Sequence, residues 1–124
     1  MTSRILVIED DADVGRLVCA RLRSAGYQPQ LAPDAVTGLQ AARRTLPDLV
    51  VLDLAMPAGG GLSVLRSLRL SSKTNLVPVV VLTGTSDENR PAEATAAGAN
   101  ALVMKPYDAE ALLDEIRKQL GCLT

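Results

Sequence analysis

Short apolar runs recur along the chain and predict the strands of a sheet. Residues 5–8, 49–52, 79–82 and 101–104 are almost entirely aliphatic. Continuous apolar runs of this length are typical of parallel strands that are covered on both faces. A weaker run, residues 28–32, carries polar side chains, and we interpret it as an edge strand.

The segments between these runs have the apolar spacing of helices that cover a sheet. Asp34 and Asp108 mark predicted helix starts. Gly26, Pro47 and Gly121 mark predicted ends. The residues predicted to face the core are Val14, Leu17, Val18, Leu22, Val36, Leu39, Leu46, Leu62, Val64, Leu65, Leu68, Leu112, Leu113, Ile116 and Leu120. Strands that alternate with helices over about five units indicate right-handed crossovers, so we predict a three-layer parallel α/β sandwich.

One helical segment differs from the others, because residues 84–101 include no Val, Ile, Leu, Met or aromatic side chain. Its buried face consists of little more than alanine methyl groups, so its packing contributes little free energy. A short helix also gains little stability from helix propensity alone. We therefore predict that this segment is the least firmly anchored element and the first to move.

Acidic residues stand at the ends of two predicted strands. Glu9, Asp10 and Asp11 directly follow the first run, and Asp53 follows residues 49–52. In an open doubly wound sheet, ligands bind beyond the carboxyl ends of the strands, where the strand order reverses. If that reversal lies between the first and third strands, Glu9, Asp10 and Asp53 converge. Close carboxylates raise each other's pKa, and Mg²⁺, which prefers oxygen ligands, removes that cost.

Asp53 also has an ordinary explanation, because an aspartate after a strand is often a helix N-cap. Asp11 and Asp13 fit that explanation, since a predicted helix starts beside them. Asp53 fits it less well, because Pro57 and the glycines at 59–61 delay the next helix to about residue 61. Glycines there let the backbone approach a ligand or form a tight turn. We interpret Asp53 as a site residue.

Two further polar residues end strands at the same predicted edge. Thr83 follows residues 79–82, and Lys105 follows residues 101–104. Either one alone is weak evidence, since a threonine hydroxyl often bonds to backbone and a lysine is usually solvated. Together with the acids they form a set suited to phosphoryl transfer, namely a nucleophilic carboxylate, a metal site and donors for phosphoryl oxygens.

The composition excludes several function classes. Thirteen basic and fourteen acidic residues nearly cancel, so no overall field attracts this domain to nucleic acid or a membrane. There is no Phe or Trp for stacking bases or a flavin, and no His for catalysis or metal binding. We see no signal peptide or membrane span, and we expect Cys19 and Cys122 to be reduced thiols in the cytoplasm.

Four motifs together resemble the receiver domain of bacterial two-component response regulators. They are ILVIEDD at 5–11, DLVVLDLAMP at 48–57 with a glycine at 61, VVVLTG at 79–84 and LVMKPY at 102–107. The resemblance implies a flavodoxin-like fold with five helices and a five-stranded parallel sheet in the order 2-1-3-4-5. It also implies a single receiver domain over residues 1–124, which either stands alone or was excised from a longer regulator.

The resemblance assigns the metal-binding roles. It implies that Asp53 accepts a phosphoryl group from a sensor kinase's phosphohistidine. Asp10 then matches a direct Mg²⁺ ligand, Glu9 matches a neighbour that often acts through water, and the Ala55 carbonyl matches a further ligand. Asp53 itself completes the predicted metal set.

The same resemblance assigns roles to the other strand ends. Thr83 matches the hydroxyl that bonds to the phosphoryl oxygen, and Lys105 matches the lysine that pairs with that oxygen. Lys105–Pro106 matches the family's usual cis peptide bond. Phosphorylation is then expected to switch the surface of the fourth helix, fifth strand and fifth helix.

The implied partners are a sensor histidine kinase or histidine phosphotransfer protein, with an output domain, a target protein or a second copy as the receiver of the signal. No direct binding to nucleic acid or membrane is expected. The protein is expected to catalyse only its own phosphotransfer and dephosphorylation at Asp53, and so to be no enzyme in the usual sense.

The sequence departs from the family at Leu102, where an aromatic ring is usual, and in the loop Ala58-Gly59-Gly60. Leu102 leaves open a receiver-like interaction module that works without phosphorylation. A flavin carrier of the same architecture is disfavoured by the scarcity of rings. A phosphatase of the haloacid dehalogenase type is disfavoured because Ala55 stands where its second acid is needed.

Overall fold

The computed structural model describes residues 2–57, 60–84, 90–105 and 108–121, and strands and helices alternate through them. The strands are β1 (Arg4–Ile8), β2 (Gln28–Ala32), β3 (Leu49–Asp53), β4 (Val79–Thr83) and β5 (Ala101–Met104). The helices are α1 (Ala12–Ser24), α2 (Ala35–Thr45), α3 (Gly60–Leu70), α4 (Arg90–Ala96) and α5 (Ala109–Gln119).

Within the described residues the strands form a five-stranded sheet in the order β2-β1-β3-β4-β5. Every neighbouring pair is parallel. This confirms the predicted order and the edge position of residues 28–32. The chain moves outward from β1 to β2 and then crosses back to β3, so the strand order reverses between β1 and β3. Ligands bind beyond the strand ends at such a point.

Helices cover both faces of the sheet, as predicted. One core cluster joins alternate strand residues such as Leu6 and Val50 to α2, α3 and α4. The other joins Ile5 and Val51 to α1 and α5. Because neighbouring residues of β3 point into different clusters, the whole strand is buried. The sandwich is therefore three layers thick, and its central strands have no wet face.

Aspartates begin three of the helices. Asp11 is the N-cap of α1, where its carboxylate accepts hydrogen bonds from the backbone amides of Asp13 and Val14. Asp34 caps α2 and Asp108 caps α5, as predicted. Asp13 is not a cap, because it lies in the first turn of α1, where it forms an exposed ion pair.

Three residues predicted to face the core do not. Leu17 is 54% exposed, Val36 is 66% exposed and Leu46 is 50% exposed. In α2 the small residues Gly38, Ala41 and Ala42 are buried instead, so the helix lies too close to the sheet for larger side chains on that face. Leu46 lies past the end of α2 in a left-handed conformation (φ 48°), which turns it away from the helix's inner face.

The structure supports the prediction that α4 packs weakly. Its seven residues bury only Ala94. Past its C-terminal end, the Arg69 guanidinium of α3 donates hydrogen bonds to the Gly98 carbonyl at 3.1 and 2.8 Å. The relative mobility of α4 stays a prediction. Among the described residues, no helix combines the length and apolarity needed to cross a membrane.

Candidate functional site

The register of the sheet brings the polar strand ends together. Ile8 of β1 pairs with Leu52 of β3, so the next residues along, Glu9 and Asp53, lie side by side. On the other side of β3, Asp53 pairs with Leu82, which directly precedes Thr83. Thr83 in turn pairs with Met104, which directly precedes Lys105. Strand pairing alone therefore delivers these side chains to one edge of the sheet.

Three carboxylates meet at this edge. Single oxygen atoms of Glu9, Asp10 and Asp53 all lie within 4.8 Å of one another. Glu9 and Asp53 are buried, whereas Asp10 is exposed. The cluster thus has one open side, through which a small ion or a phosphodonor can approach.

Lys105 faces the two buried carboxylates. Its ammonium lies 3.0 Å from Asp53 Oδ1 and 3.5 Å from Glu9 Oε1. Burial lowers the pKa of Lys105, but its hydrogen bond to Asp53 and the charges of both acids outweigh that effect and raise it. Lys105 is therefore a cation, and it offsets part of the negative charge of the cluster.

The two buried acids differ in protonation. Burial, together with the hydrogen bond and charge of Asp53, raises the pKa of Glu9 from 4.5 to about 8. Burial also raises the pKa of Asp53, but hydrogen bonds from Glu9, Lys105 and the Ala55 amide lower it further, so the net pKa is below its usual value. Without a metal ion, the Asp53 carboxylate is the ionised member of the pair and Glu9 holds a proton.

The donor set fits a hard divalent cation. Glu9 Oε2 is buried and has no hydrogen-bond partner, which is costly for a carboxylate oxygen. Three carboxylates supply the oxygen ligands that Mg²⁺ prefers, and a divalent charge would favour ionisation of Glu9. Ala55 lies in the turn after β3, and the role of its carbonyl as a ligand stays a prediction.

Thr83 is buried at the end of β4. Its hydroxyl donates a long hydrogen bond of 3.4 Å to the Gly84 carbonyl. The Lys105 amide donates to the Thr83 carbonyl at 2.7 Å, which fixes the two strand ends to each other. The weak hydroxyl bond leaves Thr83 able to turn toward a better acceptor. The predicted cis peptide at Pro106 and residues 58–59 lie outside the described part.

Gly61 explains part of the glycine run after Asp53. A Cβ atom at this position would lie 2.5 Å from the Asp53 carbonyl oxygen and 2.7 Å from Leu54 Cα. No L side chain fits there without displacing backbone, so this glycine lets the start of α3 press against the loop that follows the acid. Of the two explanations in the sequence analysis, the structure shows close backbone packing here.

One contact at the site has no signal in the sequence. Arg90, the first residue of α4, donates from Nη1 to the Leu54 carbonyl at 2.7 Å. Residues 54 and 90 are far apart in the chain, and no motif links them. An arginine at the start of an alanine-rich helix is usually explained as a solvated charge, so this contact was not predicted.

Comparison with known proteins identifies the domain. The response regulator receiver domain model matches residues 5–117. The chain belongs to the response regulator receiver domain family. This confirms the resemblance and the flavodoxin-like receiver fold, and it makes the protein a bacterial type of signalling module rather than a conventional enzyme.

Relatives of this receiver domain are response regulators. The phosphate regulon transcriptional regulatory protein PhoB of Escherichia coli K12 is 33% identical over 117 residues, which cover 94% of this chain and 51% of PhoB. The chain spans about half the length of the curated relatives it matches.

Solved receiver structures are similar over nearly the whole chain. Chemotaxis response regulator CheY4 of Vibrio cholerae superposes with a TM-score of 0.88 at 25% identity, covering 96% of this chain and 99% of CheY4. The receiver domain of the sensor histidine kinase PA1611 from Pseudomonas aeruginosa PAO1 gives a TM-score of 0.89 at 26% identity, with 98% and 99% covered. That structure has a magnesium ion coordinated in its active site cleft.

Proposed function

We propose that this receiver domain accepts a phosphoryl group on Asp53, in a Mg²⁺-dependent transfer from the phosphohistidine of a sensor histidine kinase or histidine phosphotransfer protein. The observation that carries the proposal is the buried, ionised Asp53 beside Lys105 at 3.0 Å, within a cluster of three acids. The chain has no histidine, so the donor imidazole belongs to a partner.

The reaction needs no general base, because the low pKa of Asp53 keeps its carboxylate ionised. An Asp53 oxygen attacks phosphorus in line, the new O–P bond forms as the P–N bond breaks, and the imidazole leaves with the electron pair and takes up a proton. Lys105 neutralises charge on the phosphoryl oxygens, and bound Mg²⁺ would supply further charge neutralisation there. Glu9, Asp10, Asp53 and the Ala55 carbonyl would hold the ion.

The switch follows from the new acceptor that a phosphoryl group offers to Thr83. Its hydroxyl has only a long bond to Gly84 in the structure, so a phosphoryl oxygen is a better partner. A second conformation is favoured only if such contacts differ between the two states. The α4–β5–α5 surface is the proposed output, and half-buried Leu102 on β5 transmits the change through packing rather than through an aromatic ring.

Residues 1–124 act in this proposal as one receiver domain, alone or as part of a longer regulator. Its target is an output domain, another protein or a second copy of the chain, and the domain itself binds neither nucleic acid nor membrane. The relatives include a protein named as the DNA-binding response regulator MtrA, which supports an output domain of that class. The kinase reaction uses intracellular phosphodonors, so we place the protein in the cytoplasm.

The test is incubation with Mg²⁺ and the small phosphodonor acetyl phosphate, followed by intact-protein mass measurement. The wild-type chain is expected to gain one phosphoryl group, whereas Asp53→Asn and wild-type protein in EDTA gain none. Asp114→Asn, which alters an exposed α5 aspartate, is the matched control and is expected to behave as wild type. A folded wild-type chain that gains no mass would contradict the proposal and support an interaction module that works unphosphorylated.

A further inference from the structure

One peptide group joins the phosphoacceptor to α4. The carbonyl of the Leu54–Ala55 peptide accepts the 2.7 Å hydrogen bond from Arg90 Nη1. The N–H of the same peptide, on Ala55, donates to Asp53 Oδ1 at 3.0 Å. The two bonds therefore lie at opposite ends of one rigid plane, with a guanidinium at one end and the reactive carboxylate at the other.

We propose that Arg90 is a positioning residue, which acts through the Leu54–Ala55 peptide to orient Asp53 and to couple its phosphorylation to α4. The bond from Arg90 Nη1 to the Leu54 carbonyl is called the Arg90 latch below. The part of this inference that concerns phosphorylation rests on the proposed function. The part that concerns the geometry of the metal-free protein does not.

The latch affects Asp53 in two ways. First, a cation at the carbonyl end polarises the peptide, and linked hydrogen bonds strengthen one another, so the Ala55 N–H becomes a better donor to Asp53. Secondly, the latch fixes the rotation of the peptide plane, because turning the plane would break both bonds. Both effects stabilise the ionised carboxylate in the orientation in which one oxygen faces Lys105.

The rest of the loop already has fixed neighbours. The Leu54 amide donates to the Leu82 carbonyl of β4 at 2.9 Å, and the Leu54 side chain is buried. Gly61 of α3 presses against the Leu54 backbone from another side. The Arg90 latch thus adds a contact from a third element to a loop that β4 and α3 already hold.

The same bond matters more to α4 than to the loop. Apart from Ala94, the described residues of α4 are not fully buried, and the C-terminal side of the helix is tied through Gly98 to Arg69. Arg90 ties its first turn to the phosphoacceptor loop. A change of charge at Asp53 alters what the Ala55 N–H bonds to, and that change reaches Arg90 through one peptide. By linkage, a conformation of α4 that breaks the latch also alters phosphorylation of Asp53.

The test compares Arg90→Met, which keeps the length of the aliphatic stem, with Arg90→Lys, which keeps the charge. Arg43→Met, an exposed arginine on α2, is the control for loss of a surface charge. In metal-free protein, NMR reads the Ala55 amide resonance and the hydrogen exchange of α4. A second assay gives the rate of phosphorylation by acetyl phosphate with Mg²⁺. Urea unfolding verifies that each variant is folded.

For Arg90→Met we expect an upfield shift of the Ala55 amide proton, about tenfold faster exchange in α4 and about tenfold slower phosphorylation, as for loss of one charged hydrogen bond. Arg90→Lys is expected to recover part of each effect, and Arg43→Met to match wild type. An unchanged Ala55 amide in Arg90→Met would overturn the inference. So would a phosphorylation rate within about twofold of wild type.

The two proposals fail in different ways. If wild-type protein takes up no phosphoryl group, the proposed function fails, yet the Ala55 amide and the exchange of α4 still decide whether the latch exists. If wild type is phosphorylated and Arg90→Met behaves identically, the proposed function stands and the latch is refuted.

Discussion

Helices α3 and α4 pack against the same face of the sheet, but by different means. Val64, Leu65 and Leu68 of α3 are fully buried in that core cluster. From α4 only Ala94 is. Burying a Val or Leu side chain stabilises a fold by about 1.5–3 kcal/mol, against about 0.8 kcal/mol for one methyl group. Hydrophobic packing fixes α3, whereas α4 depends on polar bonds at its ends.

The difference has a functional consequence. The rigid helix holds the loop after Asp53, since Gly61 of α3 packs directly on that backbone. The weakly packed helix begins at Arg90, whose bond reaches the same loop. A phosphoryl group therefore meets a site that keeps its shape on the α3 side and can move on the α4 side. A small difference in contact energy is enough to shift an element that has little packing to lose.

The largest expected effect comes from exchanging packing on the two helices. Leu65→Ala is expected to lower the free energy of unfolding by about 2–5 kcal/mol, because it leaves a cavity in a closed core. Ala94→Gly is expected to cost only about 1 kcal/mol, mainly through helix propensity. Urea unfolding of both variants measures the difference. Equal losses would mean that α4 is packed as firmly as α3.

Hydrogen exchange measures the same contrast without mutation. Amides of α4 are expected to exchange at least about a hundredfold faster than those of β3, because α4 opens locally while β3 needs global unfolding. NMR-detected exchange at neutral pH gives both rates in one sample. Protection of α4 equal to that of β3 would remove the account of α4 as the movable element.

A smaller effect, of the opposite sign, is expected at Glu9. Its folded pKa of about 8 exceeds the ordinary 4.5, so the folded chain keeps a proton that the unfolded chain releases. Stability should therefore fall as pH rises from about 4.5 toward about 8 in metal-free protein. Glu9→Gln cannot ionise, so it should lose this pH dependence and be more stable at pH 7 in EDTA by about 1–3 kcal/mol.

The Glu9 variant also sharpens the comparison of helices. Because β3 exchanges through global unfolding, Glu9→Gln should slow its exchange, whereas local opening of α4 should stay at the wild-type rate. Added Mg²⁺ should stabilise wild type and affect Glu9→Gln less, since a ligand stabilises only the state that binds it. A variant less stable than wild type at pH 7 in EDTA would contradict the assigned burden of Glu9.

The sequence predicts those features of this fold that depend on local pattern. Apolar runs located the strands, and an acid beside a helix start located the caps at Asp11, Asp34 and Asp108. It failed at Leu17, Val36 and Leu46, because which face of a helix is buried depends on how closely that helix approaches the sheet. In α2 the close approach selects Gly38 and Ala42 over larger side chains.

The candidate site divides in the same way. Glu9, Asp53, Thr83 and Lys105 were predictable because parallel strands end at one edge and each residue ends or directly follows a strand. Arg90 was not predictable, because its contact joins a loop and a helix through a backbone carbonyl. Side chains that act on backbone leave no residue pairing in the sequence to detect.

The most direct test of the account is to locate the phosphoryl group. Protein phosphorylated with acetyl phosphate and Mg²⁺ is reduced with borohydride, which converts an aspartyl phosphate to homoserine, and its peptides are then sequenced by mass spectrometry. The account predicts homoserine at residue 53 and unchanged aspartate at residues 10 and 11. Homoserine at another acid, or none in protein that has gained the phosphoryl mass, would contradict it.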